Sequence, residues 1–337
     1  MINSLWFVVL TVMLAGYAVL DGFDLGVGTI HLLLGRDTRE RGTLIDAIGP
    51  VWNGNEVWLL AAGGSMVVAF PHLYAASFSG FYLALMLVLW LLLLRGLGIE
   101  FRHQIEQDLW RHAWDVTFSV ASALLALLFG VAVGNVLHGV PLDASGEFRG
   151  TFALLLNPFS ILGGLLSVSV LSLHGANWIA LKTEGELQAR ARSAARLLWW
   201  PAVALLAAMV AASFVVRPDF THNFAAHPVL VIAPLVGLLA SIAVPYFRTR
   251  GDDRGAFLAG ATLIAAILAS VAAGLYPELL PARAGSAHPA LDIYNSASPE
   301  GSLRTALWVY LGGIALVAVY LVNIYRVWGG KVRQVYH

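Results

Sequence analysis

Three carboxylic acids lie inside apolar stretches of this chain. Asp21 and Asp24 belong to the run Tyr17-Ala-Val-Leu-Asp-Gly-Phe-Asp-Leu-Gly-Val-Gly28, and Glu56 to the run Ile48-Gly-Pro-Val-Trp-Asn-Gly-Asn-Glu-Val-Trp58. A carboxylate in hydrocarbon costs roughly 2.5–3.5 kcal/mol on insertion scales, so its default reading is functional. A buried acid without a partner takes up a proton or sits in water. Either state suits proton movement. The plainer alternative is a neutral acid, hydrogen-bonded to a neighbouring helix as packing glue.

The surroundings of these acids fix the class. The 337 residues are 59% hydrophobic and 12% charged, with a mean hydropathy of +0.76. A soluble domain carries about twice that share of charge, so the chain is expected to be an all-α integral membrane protein. Cysteine is absent, which excludes disulfides, thiolate metal sites and iron–sulfur ligation. The start, Met1-Ile-Asn-Ser4, has no basic n-region and reads as a retained span rather than a signal peptide.

A bilayer core needs about 20 apolar residues per helix. On that measure nine spans are expected, at 5–34, 45–70, 73–95, 114–138, 153–181, 197–216, 228–247, 255–275 and 303–327. Loops and helix ends after the odd-numbered spans hold 16 of the 20 Lys and Arg, among them Arg36, Arg95, Arg102, Lys182, Arg250 and Arg333. Only Arg149, Arg217, Arg283 and Arg304 fall on the other side. The positive-inside rule then puts the C-terminus in the cytoplasm and the N-terminus outside. The expected division is a four-helix bundle over 1–152 bearing the acids and a second over 153–275. Residues 276–337 follow as an extracytoplasmic loop, a peripheral ninth helix and a cytoplasmic tail. The same tally leaves no cation inside a span, so Asp21, Asp24 and Glu56 are expected to lack a counter-ion from their own chain.

Depth refines this expectation. Asp24 and Asp21 lie ten and thirteen residues from the cytoplasmic end near Leu34, and Asn53 and Glu56 nine and twelve from Leu44. Each pair is spaced i,i+3 and shares a helix face. A polar cluster of Asp21, Asp24, Asn53 and Glu56 is therefore expected in the cytoplasmic half, with Trp52, Asn55 and Gly28 in support. Gly22, Gly26, Gly28 and Gly54 would let the first two helices approach closely there.

The remainder looks quieter. Spans five to nine contain no mid-span acid, and Gly163-Gly164 and Gly312-Gly313 read as close helix packing. Asp115 reads as a helix-start residue favouring the dipole. Of the ten His, eight, including His337, fall in loops or at helix ends, and His31 and His174 lie near cytoplasmic ends of spans. No two share depth on adjacent helices as bis-His ligation requires, so no haem or metal is expected in this chain. No nucleic-acid partner is expected either.

The two acid-bearing strings resemble subunit II of the cytochrome bd-type quinol oxidases. The likeness continues through Ala69-Phe-Pro71, Phe78-Ser-Gly-Phe-Tyr82 and Phe101-Arg102, and more thinly through Leu156-Asn-Pro-Phe159 and Gly185-Glu-Leu187. The resemblance implies a bacterial plasma-membrane complex of the respiratory chain that oxidises ubiquinol or menaquinol and reduces dioxygen to water. It implies two haems b and one haem d in a partner subunit I, and none in this chain. Subunit II would stabilise the haem-bearing subunit as an obligate heterodimer and lend acids to a cytoplasmic proton channel, with no catalytic residue of its own. A structural quinone and a small single-span subunit are left open.

Asp21 and Asp24 match the family's acidic pair, and Trp52 its span-two Trp. Directly after that Trp the family often has an acid where this chain has Asn53. Asn cannot carry a net proton, so either Asp24 and water suffice, or Glu56, one turn later, takes over the role, or the route differs; of these Glu56 is the preferred substitute. Two other readings remain at this point: a proton-coupled secondary transporter, and a purely structural membrane scaffold.

Overall fold

Lipid offers a backbone no hydrogen-bond partners, so a spanning segment must satisfy its own N–H and C=O groups as a helix. The computed structural model describes residues 1–332 and is almost wholly helical; Arg333 and His337 lie outside the described residues. In order the elements are α1 (Ile2–Leu34), α2 (Thr38–Asp46), α3 (Trp52–Ala69), α4 (Pro71–Gly80), α5 (Tyr82–Phe101), α6 (Asp108–His138) and α7 (Phe152–Leu155). There follow α8 (Pro158–Lys182), α9 (Gly185–Val216), α10 (His222–Ala226), α11 (Ile232–Thr249), α12 (Asp253–Leu275), β1 (Glu278–Leu280), β2 (Leu291–Asp292) and α13 (Glu300–Val327).

Among the described residues eight helices are long and apolar enough to cross a membrane: α1, α5, α6, α8, α9, α11 with the 3-10 turn before it, α12 and α13. The helix in the second expected span is α3, whose first turns carry Asn53, Asn55 and Glu56 and dilute its apolar character. It also starts later than 45. Residues 38–46 form the separate α2, capped by Asp37 accepting from the Glu40 N–H, and turns over 47–51 bring in Trp52. Pro50 restricts the residue before it and has no N–H to give.

Helix bounds shift elsewhere too, with consequences for the site. The third span breaks at Phe81, and α5 then runs on to Phe101. The fourth begins at Asp108, so Asp115 sits in the third turn of α6 rather than at its start.

The core is built around α1 and α8. A Cβ on Gly26 would lie 1.9 Å from the Leu171 carbonyl oxygen, and one on Gly175 2.4 Å from the Gly26 carbonyl carbon. The close approach expected between α1 and the second span is thus made to α8 instead. Gly28 meets Ser122 and Phe118 of α6, and Gly54 meets Tyr320 of α13. The expectation for Gly163-Gly164 holds, since a Cβ on Gly130 would fall 2.4 Å from the Gly163 carbonyl oxygen. A Cβ on Gly312 or Gly313 would meet nothing of this chain within 4 Å. At the end of the bundle where α1 begins, the 276–299 connection folds over the chain's own first helix. Asn3 donates to the Ile293 carbonyl at 2.7 Å, and Val140 and Ala282 form a bridge.

Candidate functional site

One face of α1 presents Tyr17, Asp21 and Asp24 at i, i+4 and i+7, all buried. Three other helices answer it: α5 with Arg95, α3 with Asn55 and Glu56, and α13 with Tyr325. Arg95 Nη1 donates to both oxygens of Asp21 at 2.7 and 2.8 Å, with both side chains fully buried. The Glu56 carboxylate lies 3.5 Å from Arg95 Nη2 and keeps 23% of its side chain exposed. Arg95 also sits over the Trp52 ring, 6.0 Å from its centroid.

This overturns, for Asp21 and Glu56, the expectation that the acids lack a counter-ion from their own chain. Arg95 looked like a span end because the tally stopped the third span there, but the apolar run Leu91-Leu-Leu-Leu94 resumes after Arg95 with Gly96-Leu-Gly-Ile99. Extending the helix through that run was the signal that could have found it.

Asp24 is treated differently. Asn55 Nδ2 donates to its Oδ2 at 2.8 Å, and the Tyr325 hydroxyl donates to Asn55 Oδ1 at 2.9 Å. Asp24 Oδ1 is buried with no hydrogen-bond partner among the described residues. One guanidinium stands against three carboxyls, and it reaches Asp21 and Glu56 rather than Asp24.

Asn53 does not join the cluster. It is exposed on α3, while Asn55, two residues later, turns inward. Residues two apart on a helix point about 200° apart, and with α3 starting at Trp52 the inward face falls to Asn55. Tyr325 was missed because the last helix carries no charge in mid-span. A lone tyrosine in an apolar run gives no sequence signal of its own.

A second buried cluster lies towards the basic end. Asp115 Oδ1 meets His31 Nε2 at 2.8 Å and Arg102 Nε at 2.6 Å, and Arg41 Nη1 is 3.6 Å from Oδ2. Arg102 Nη2 also donates to the Thr38 carbonyl at 2.8 Å, tying α5 to the start of α2. Asp115 is therefore an ion-pair hub of four elements, not a dipole partner. His174 is buried as well, its Nε2 3.1 Å from the Val19 carbonyl and its ring stacked on Phe257 at 4.6 Å.

The model of the cytochrome bd terminal oxidase subunit II family matches residues 2–328. The chain belongs to this family. Family membership covers α1 to α13 and so includes every residue of both clusters. The chain is 35% identical to the probable cytochrome oxidase subunit 2 of Haemophilus influenzae and 32% identical to the cytochrome bd-I ubiquinol oxidase subunit 2 of Escherichia coli K12. Each comparison covers 97% of this chain and 93% of the relative. A solved structure, the bd oxidase from Geobacillus thermodenitrificans, shares the fold with a TM-score of 0.78 at 18% identity, over 97% of this chain and 98% of that one.

The chain is thus a multi-pass protein of the bacterial inner membrane and a subunit of a terminal oxidase, an oxidoreductase complex that contains haem and a partner subunit I. The two fully buried histidines are engaged by Asp115 and by the Val19 carbonyl. Among the described residues no group of three or more His, Cys, Asp or Glu is placed to hold a metal ion.

Proposed function

We propose that this chain is the haem-free subunit of a quinol:dioxygen oxidoreductase, stabilising subunit I and supplying part of its proton path from the cytoplasm. Reducing dioxygen to water consumes protons. Taking them from the cytoplasmic side, while quinol releases its own outside, builds a proton-motive force without a pump. The haems b and d and the quinol site belong to subunit I in this reading. The layout would be nine spans, with α3 the second, the N-terminus outside and the basic end cytoplasmic.

The observation that carries the proposal is the asymmetry of the two α1 acids. Asp21 is held by Arg95 through both of its oxygens, so its role is to hold α1, α5 and, through Glu56, α3 together. Asp24 has one oxygen held by Asn55 and the other unengaged, the arrangement of a group that can gain and lose a proton without breaking an ion pair. Glu56, partly exposed beside Arg95, lies on the surface of α3 and links the cluster to whatever packs there. Asn53 takes no part in the path.

Replacing Asp24 by Asn in the assembled complex tests this. The expected result is a large loss of quinol oxidase turnover with the haem spectrum retained. Unchanged turnover would remove Asp24 from the path, and lost haem would favour a scaffold. That second reading has one observation behind it, the buried Arg95–Asp21 pair, and it is assigned here to that pair alone.

A further inference from the structure

Beyond the acid clusters, an uncommitted concavity lies where α9 ends. A cleft of about 450 Å³ is lined by polar groups including Arg217, Asp219, Glu278 and Arg283. It adjoins a groove of about 560 Å³ whose walls are mainly apolar, among them Phe159, Leu162, Ala212 and Val215. His138, Val216 and Arg283 line both. One end of the concavity is therefore polar and ionic. The other runs into the bundle between α8 and α9, two spanning helices.

The charges are divided in a particular way. Arg217 is engaged by two carboxylates, Asp219 at 2.9 Å and Glu278 at 3.2 Å, so this group has a net charge of −1. Arg283 is exposed and makes no ion pair among the described residues. A ligand that suits the whole cleft carries an anion for Arg283, a cation for the Glu278 side, and an apolar tail for the groove. We infer that this concavity is a binding site for an amine-bearing zwitterionic glycerophospholipid. Its phosphodiester pairs with Arg283, its ammonium faces Glu278 and Asp219, and an acyl chain lies along Phe159, Leu162 and Ala212.

An anionic lipid satisfies Arg283 but sets no positive charge against the acidic group. A fully apolar molecule leaves Arg283 in the cleft without a counter-charge. A hydrogen bond involving a charged group is worth enough to shift affinity by about tenfold or more.

The test uses the purified two-subunit complex, lipid-depleted in detergent and titrated with phosphatidylethanolamine or phosphatidylglycerol of identical acyl chains. Bound lipid is counted by native mass spectrometry. The expected result is one tightly held phosphatidylethanolamine, with phosphatidylglycerol held about tenfold more weakly. Arg283→Glu should weaken that lipid about tenfold, Glu278→Gln should erase the preference between headgroups, and Ala212→Trp should expel the lipid by filling the groove. Oxidase turnover immediately after purification should be unaltered in all three, which shows that the complex is assembled. Equal retention of the two lipids by the unaltered complex would overturn the inference, leaving only annular lipid. So would retention of the lipid by Arg283→Glu and Ala212→Trp. Displacement by glycerophosphoethanolamine lacking acyl chains, as effective as by the whole lipid, would overturn the assignment of the groove.

Discussion

Arg95 holds Asp21 through a single nitrogen, Nη1, which reaches both carboxylate oxygens at 2.7 and 2.8 Å inside the fold. Such a pair contributes little net stability compared with apolar residues of the same volume, yet removing one partner leaves a buried charge and costs about 3–5 kcal/mol. Arg95→Leu alone is therefore expected to destabilise the complex by that order, and Asp21→Leu likewise. The double variant should recover most of the loss. Thermal unfolding of the four forms gives the coupling; independent, additive effects would mean that the pair does not form.

Tyr325 acts one step further from the acids. Its hydroxyl accounts for Asn55 Oδ1, which leaves the Asn55 amide nitrogen directed at Asp24. Tyr325→Phe removes one hydrogen bond of roughly 1 kcal/mol and lets the Asn55 amide rotate. On the proposed path, turnover should fall about fivefold with haem content unchanged, whereas Asn53→Ala should leave turnover as it was. An equal loss in both variants would mean that Asn55 has no orienting role.

How far these arrangements could be read without coordinates depended on the kind of information each needed. Asp21 and Asp24 declare themselves, because a charge in an apolar run is conspicuous wherever the helix ends. Arg95 and Asp115 did not. Each was assigned by its distance from an expected helix end, and α5 and α6 run six residues beyond those ends. The helices themselves followed from hydropathy, which is a property of one segment. The choice of neighbour did not: Gly26 fits a helix crossing equally well whether the partner is α3 or α8. Only the long-range packing against Leu171 and Gly175 decides it. The inward turn of Asn55 instead of Asn53 follows from where α3 starts, a boundary set by the turns around Pro50.

Two glycines on α1 separate backbone crowding from side-chain crowding. A Cβ at Gly22 would come 2.9 Å from a terminal methyl carbon of Leu171, which can rotate away; at Gly26 it would meet the Leu171 carbonyl oxygen at 1.9 Å. Gly22→Ala is expected to cost about 1 kcal/mol or less, and Gly26→Ala to exceed the 1–3 kcal/mol usual for overpacking because α1 and α8 must part. Yield and thermal stability of the purified complex measure this. Equal tolerance of both would show that the α1–α8 crossing is looser than described.

The turn between α6 and α7 should respond to acid in a way its exposure would not suggest. Asp143 accepts from the Ser145 hydroxyl at 2.5 Å, from Arg149 Nε at 2.7 Å, and from the backbone N–H groups of Ser145 and Glu147 at 2.9 and 3.1 Å. The Ser145 hydroxyl first, and then Arg149, hold its carboxyl well below the usual carboxylate range. A group whose folded pKa is depressed contributes stability above its unfolded value, about 3.9 for Asp. That contribution is lost only as pH falls through the lower folded value. Hydrogen-exchange protection of the Ser145 and Glu147 amides should therefore persist through pH 4 and fade well below it. Asp143→Asn should weaken that protection at neutral pH and abolish its dependence on acid. Protection in the unaltered chain that disappears around pH 4 would show that the carboxylate is not held by these donors.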